Sequence, residues 1–127
     1  MRNIIIFFFI LVSIRCVSDL LNVKAVTVPE LYNNIKENNV SSLVLLNIWS
    51  TSCIPCIEEF PYIVKLKKRY DINKLDVVFL STDWDENEEA VDNFLLSQQV
   101  RGQHYRKPEG NTQEFIDDIC PSWSGAL

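Results

Sequence analysis

Leu43-Val44-Leu45-Leu46-Asn47-Ile48 is the stretch that most constrains this chain. Four consecutive aliphatic residues, continued by Asn47 and Ile48, read as a strand apolar on both faces, the pattern of a central parallel strand. Trp49-Ser50-Thr51-Ser52-Cys53-Ile54-Pro55-Cys56 follows at once, and Ile57-Glu58-Glu59-Phe60-Pro61 then opens a helical pattern. A buried strand thus turns directly into a helix, with a Cys-x-x-Cys on the turn. The alternation of strands and helices along the chain predicts an α/β fold with a mostly parallel sheet and right-handed crossovers.

That placement favours thiol chemistry. A thiolate is the nucleophile in thiol–disulfide exchange, and an ordinary Cys, near pKa ~8.5, is mostly thiol at neutral pH. A helix N-terminus offers unpaired N–H groups and the positive end of the dipole, which would stabilise a thiolate at Cys53. Cys56 lies one turn on, within reach of a mixed disulfide on Cys53. Exposure at the helix start, against burial one turn in, makes Cys53 the expected nucleophile and Cys56 the resolving thiol. Pro55 in the first turn gives up no helical hydrogen bond. Glu58 and Glu59 nearby partly oppose the thiolate.

The segment Leu45 to Pro61 resembles the active-site segment of the thioredoxin-like redoxins of the TlpA and ResA type. Their pattern is an apolar strand, Asn, an aromatic, Trp, a small residue, Thr, then C-x-P-C, with E-x-P shortly after. Trp49, Thr51, Cys53, Pro55, Cys56, Glu59 and Pro61 fall into it. Ser52 departs from it, because the family usually has Trp there. Asn47 stands where cytoplasmic thioredoxins carry a buried Asp, so that proton acceptor is missing, as is ordinary for the TlpA and ResA group. The resemblance implies a thioredoxin-like fold. It also implies a redox-active Cys53–Cys56 pair supported by Trp49, Pro55 and Glu59, with no cofactor and no metal. Trp-Ser-Gly-Ala-Leu at 123–127 resembles the segment leading to the family's cis-proline strand. The closing strands and last helix of the fold do not follow in this sequence. The expectation is therefore a C-terminally incomplete domain over residues 19–127.

Residues 1–18 read as a signal peptide or N-terminal anchor. Arg2 supplies the positive start, Ile4 to Val12 is the apolar run, and Ser18 ends a passable cleavage site. Arg15 interrupts the run, which is shorter than the ~20 residues of a comfortable span. Arg15 also stands where a lipidation signal at Cys16 wants a small residue. Export to a periplasmic or other extracytoplasmic space follows, where a dithiol must be fed electrons or act as an oxidant. The expected partners are protein disulfides or dithiols and a membrane or exported electron-donor redox protein. The 127 residues fit one domain. With 12 basic and 17 acidic residues, net charge −5, there is no basic patch for nucleic acid.

Along the chain, Val23 to Val26 reads as a weak strand. Thr27, Pro29 and Glu30 form a capping box for a helix with Leu31 and Ile35 inward, stopped by Asn38-Asn39 in the left-handed conformation. The helix from Ile54 to Tyr70 buries Ile57, Phe60, Ile63, Val64 and Leu66, with a kink expected at Pro61. Lys65, Lys67, Lys68 and Arg69 read as its solvated end. Leu75 to Ser81 is a strand. Asp85-x-x-Glu88 opens a helix to about Gln99 with Ala90, Val91, Phe94 and Leu95 inward, and capping accounts better for Asp83 and Asp85 than a cation site. Residues 103–110 read as an irregular loop that leaves His104 on the surface. Asn111 and Glu114 cap a short helix to Asp118. Cys120 reads as a small hydrophobe and Trp123 as packing.

A C-x-x-C can also be half of a zinc site, but such sites want four ligands and this chain has a single histidine. Cu(I) delivery through two thiolates is the better metal alternative, and an inactive fragment is the third reading. The expected function is thiol–disulfide exchange through Cys53 and Cys56.

Overall fold

A computed structural model describes residues 23–70, 73–110 and 112–124. The targeting segment 1–18, Cys16, the cap at Asn111 and the last three residues lie outside the described residues.

A short strand, β1 (Lys24–Ala25), leads into helix α1 (Val28–Asn38). Thr27 caps α1 as its sequence predicts: the Glu30 N–H donates to Thr27 Oγ1 at 3.4 Å, and the Thr27 N–H donates to Glu30 Oε2 at 2.8 Å. Those bonds hold the Glu30 carboxyl below its ordinary range. The far end differs from expectation. Asn39 ends α1 in extended backbone, φ −102° and ψ 131°, rather than in a left-handed turn.

Strand β2 (Leu43–Trp49) runs into helix α2 (Ile54–Arg69), which continues through Pro61. Strand β3 (Leu75–Ser81) follows, then a single 3-10 turn (Asp85–Asn87) and helix α3 (Glu88–Ser97). Gln99, at φ 52°, takes the left-handed step just after α3. Strand β4 (His104–Arg106) and helix α4 (Thr112–Ile119) complete the described chain.

The four strands form one sheet in the order β1-β4-β3-β2, every neighbouring pair parallel. β2 therefore lies at the edge of the described sheet, not in its centre. β3 is the strand buried along nearly its whole length, whereas Leu43 of β2 is 63% exposed. Both runs are mostly apolar, the edge strand slightly the more so, so composition does not tell the edge from the middle.

Side-chain alternation divides the core in two. Leu45 and Trp49 of β2 and Val77 and Phe79 of β3 face α2 and α3, meeting Phe60, Val64, Val91 and Leu95. Val44, Leu46, Ile48, Val78 and Leu80 face α1 and α4, meeting Leu31 and Phe115. Helices thus cover both faces, which a parallel sheet requires. Ala90, expected inward, is exposed.

Two charged or polar residues are less solvated than their sequence context predicts. Lys67 pairs with buried Asp76 and donates to the Val77 carbonyl at 2.8 Å, so it pins α2 to β3 rather than decorating a helix end. His104 lies on β4, half-buried, its ring stacked on Phe79 at 5.4 Å between centroids. Neither ring nitrogen makes a well-formed hydrogen bond among the described residues, although the Val100 backbone lies close enough to act on the ring. β4 escapes sequence reading because only Tyr105 of its three residues is buried.

Candidate active site

β2, β3 and β4 end on the same side of the sheet because they are parallel and in register, Trp49 opposite Ser81 and Ser81 opposite Arg106. The loops leaving those ends gather Cys53, Asp83 and Lys107 at the carboxyl edge of the strands. That edge is where open α/β sheets commonly build their sites.

Trp49 closes β2 and is 1% exposed. Its ring meets Phe60 edge-on at 5.0 Å and Phe94 at 4.9 Å, which fixes the floor beneath the turn. The turn is tightened by the Cys53 N–H donating to Ser50 O at 3.2 Å, and Ser50 Oγ and Ser52 Oγ lie 3.1 Å apart. It delivers Cys53 as the N-cap of α2. The Cys56 N–H donates to Cys53 Sγ at 3.3 Å, and the Ile57 N–H donates to Cys53 O at 3.1 Å. Pro55 stands in the first turn, where no N–H is needed.

Cys53 and Cys56 are joined by a disulfide, with Cα atoms 5.3 Å apart. Exposure does not separate them as expected: Cys53 is 9% exposed and Cys56 is partly exposed. What distinguishes Cys53 is its sulfur's place as the helix cap, where N–H groups converge. Glu59 is exposed on α2. The Asn47 side-chain oxygen is buried with no partner among the described residues, so the position offers a polar atom but no ionisable group.

Asp83, expected as a helix cap, has a different role. It is buried and caps no helix. Instead its carboxylate accepts the Thr51 N–H at 2.9 and 3.1 Å, the Thr51 hydroxyl at 2.5 Å and the Ser81 hydroxyl at 2.7 Å. Asp85 likewise caps nothing and pairs with Arg106. Lys107, 2% exposed, lies over the Trp84 ring. Burial lowers the pKa of its amine, as does the Arg106 charge, while Asp83 and Glu109 pull it back up. Thr51 and Asp83 lie 32 positions apart, and no linear spacing announces such a pair.

Cys120 is not in a disulfide; its sulfur lies 3.2 Å from Ser122 Oγ, and that contact lowers the thiol's pKa.

A stretch of 52 residues is 42% identical to the thiol-disulfide oxidoreductase ResA of Bacillus cereus, covering 41% of this chain and 29% of that protein. In that stretch the chain is ResA-like. ResA of Bacillus subtilis is 37% identical over 54 residues, 42% of this chain and 29% of its own length. The chain thus spans under a third of the curated ResA proteins it matches. No family model matches it. The solution structure of a proposed thiol-disulfide oxidoreductase from Bacteroides vulgatus is 28% identical, with a TM-score of 0.47, over 59% of this chain and 47% of that one. Among the described residues no helix is long and apolar enough to cross a membrane.

Proposed function

We propose that this protein is a thiol-disulfide oxidoreductase that exchanges the Cys53–Cys56 pair with disulfides of other proteins. The observation that carries the reading is the disulfide at the N-terminus of α2, with Cys53 Sγ accepting the Cys56 N–H. The names of the ResA relatives support it.

In the reducing direction, the Cys53 thiolate attacks one sulfur of a client disulfide. A mixed disulfide forms and one client thiolate leaves. The Cys56 thiolate then attacks Cys53 Sγ, which restores the intramolecular disulfide and releases the second client thiolate. Water protonates both leaving thiolates, and two electrons pass to the client. A thiol donor, an exported or membrane redox protein, returns the pair to the dithiol.

Trp49 supports the turn from below, Pro55 stiffens it and Glu59 stands one turn further along the helix. Residues 1–18 act as the export segment and residues 19–127 as the redox domain, in an extracytoplasmic compartment. The test is reduction of insulin disulfides with dithiothreitol as donor, together with trapping by Cys56→Ser and Cys53→Ser. Activity in the parent and a stable mixed disulfide with Cys56→Ser support the roles. Trapping only by Cys53→Ser reverses them. An inactive parent that holds stoichiometric Cu(I) instead rejects the reading.

A further inference from the structure

Asp83 spends a buried carboxylate on a turn that belongs to another strand. It is 4% exposed, and both oxygens accept hydrogen bonds from Thr51 while one also accepts from Ser81. Its own N–H donates to Ser81 Oγ at 3.0 Å. Beside it the Thr82 N–H donates to Trp49 O at 2.9 Å, so the two strand ends are tied twice. A single residue, Ser52, separates Thr51 from Cys53. We propose that Asp83 is a positioning residue for Cys53: by clamping Thr51 it holds the turn that seats the reactive sulfur on the helix N-terminus.

The chemistry requires a carboxylate there. Three donors converge on it, two of them from Thr51, and an amide could meet them through one oxygen only. A negative charge near Cys53 would by itself resist thiolate formation. Lys107, buried beside Asp83 at the same edge, supplies a countering charge. Geometry and charge therefore push in opposite directions, and the sign of the effect tells them apart. Loosening the clamp weakens the helix-end stabilisation of the sulfur, so a higher pH is needed to make Cys53 reactive. Removing a repelling charge does the reverse.

This inference deepens the redox reading, yet its readout does not need catalysis. The reduced full chain is pulsed with iodoacetamide across a pH series, and labelling of the Cys53 peptide is followed by mass spectrometry. Asp83→Asn and Thr51→Val are each expected to raise the pH midpoint of labelling by about half a unit or more, an about threefold slower reaction at neutral pH. Thr51→Ser, which keeps the hydroxyl, restores the parent midpoint. The double variant goes no further than the stronger single, because both remove one clamp. Circular dichroism verifies folding, and if Asp83→Asn fails to fold, the Thr51→Val and Thr51→Ser pair decides alone. An unchanged midpoint in folded variants overturns the proposal, and so does a downward shift in Asp83→Asn. Failure of the parent to reduce insulin would reject the enzyme reading while leaving this result to stand or fall separately.

Discussion

Lys107 Nζ sits 4.2 Å above the centre of the Trp84 ring. The Trp84 side of that contact is open, since the residue is 54% exposed, while Lys107 is almost wholly covered. The ring thus acts as the lid over a buried ammonium. Trp84→Leu keeps the apolar cover but loses the ring's negative face. Its expected cost is about 1 kcal/mol, read as a lower urea midpoint at unchanged slope. A midpoint equal to the parent's would mean that the cation gains nothing from the ring.

His104 makes stability depend on acid. Burial lowers its pKa to about 4, helped by the Lys67 charge and offset in part by the Val100 backbone. The unfolded chain, near the ordinary 6.5, binds that proton more readily than the folded one. His104 therefore costs nothing above about pH 6.5, and stability falls as pH drops from there toward 4. The full loss is about 3 kcal/mol. In His104→Phe, which keeps the stack on Phe79, urea midpoints between pH 7 and 4.5 should fall less steeply than in the parent. Parallel slopes would place the acid sensitivity elsewhere.

The Lys67–Asp76 pair should be expensive to break on one side and cheap to replace on both. Lys67→Met leaves buried Asp76 without its cation, at about 3 to 5 kcal/mol. Lys67→Met combined with Asp76→Asn should recover much of that loss. Thermal unfolding of the two variants checks this, and equal melting temperatures would refute it.

Thr27→Ala removes one arm of the capping box and should cost about 1 kcal/mol. Adding Glu30→Ala should cost little more, because the two arms serve one cap. Additive losses would show two independent contacts.

The local structure of this chain was plain in its residues, and the tertiary pairings were not. Thr27 and Glu30 announce their cap because both partners lie within four residues. Leu75 to Ser81 announces β3 because seven residues leave few other solutions for an apolar run. The Cys53–Cys56 turn is legible for the same reason. By contrast, the solvated readings of Lys67 and His104 fail because their partners, Asp76 and Phe79, come from other elements. Asp83 fails likewise: an acidic residue before a helix is ordinarily a cap, and only the β2–β3 pairing turns it toward Thr51.

That pairing has a bearing on how a new chain matures. β2 and β3 meet with Trp49 opposite Ser81, and this places Thr51 beside Asp83. A slip of one residue moves the strands by about 3.3 Å and turns every side chain to the wrong face. A chain paired out of step would carry both cysteines and still lack the clamp. Its thiols would stay sluggish until the sheet had found its alignment, and a half-made molecule would be spared from scrambling its own sulfurs. Pulse labelling during refolding of the reduced chain should then show Cys53 gaining its full reactivity only as the β2 and β3 amides become protected. Full reactivity ahead of that protection would show the two to be unconnected.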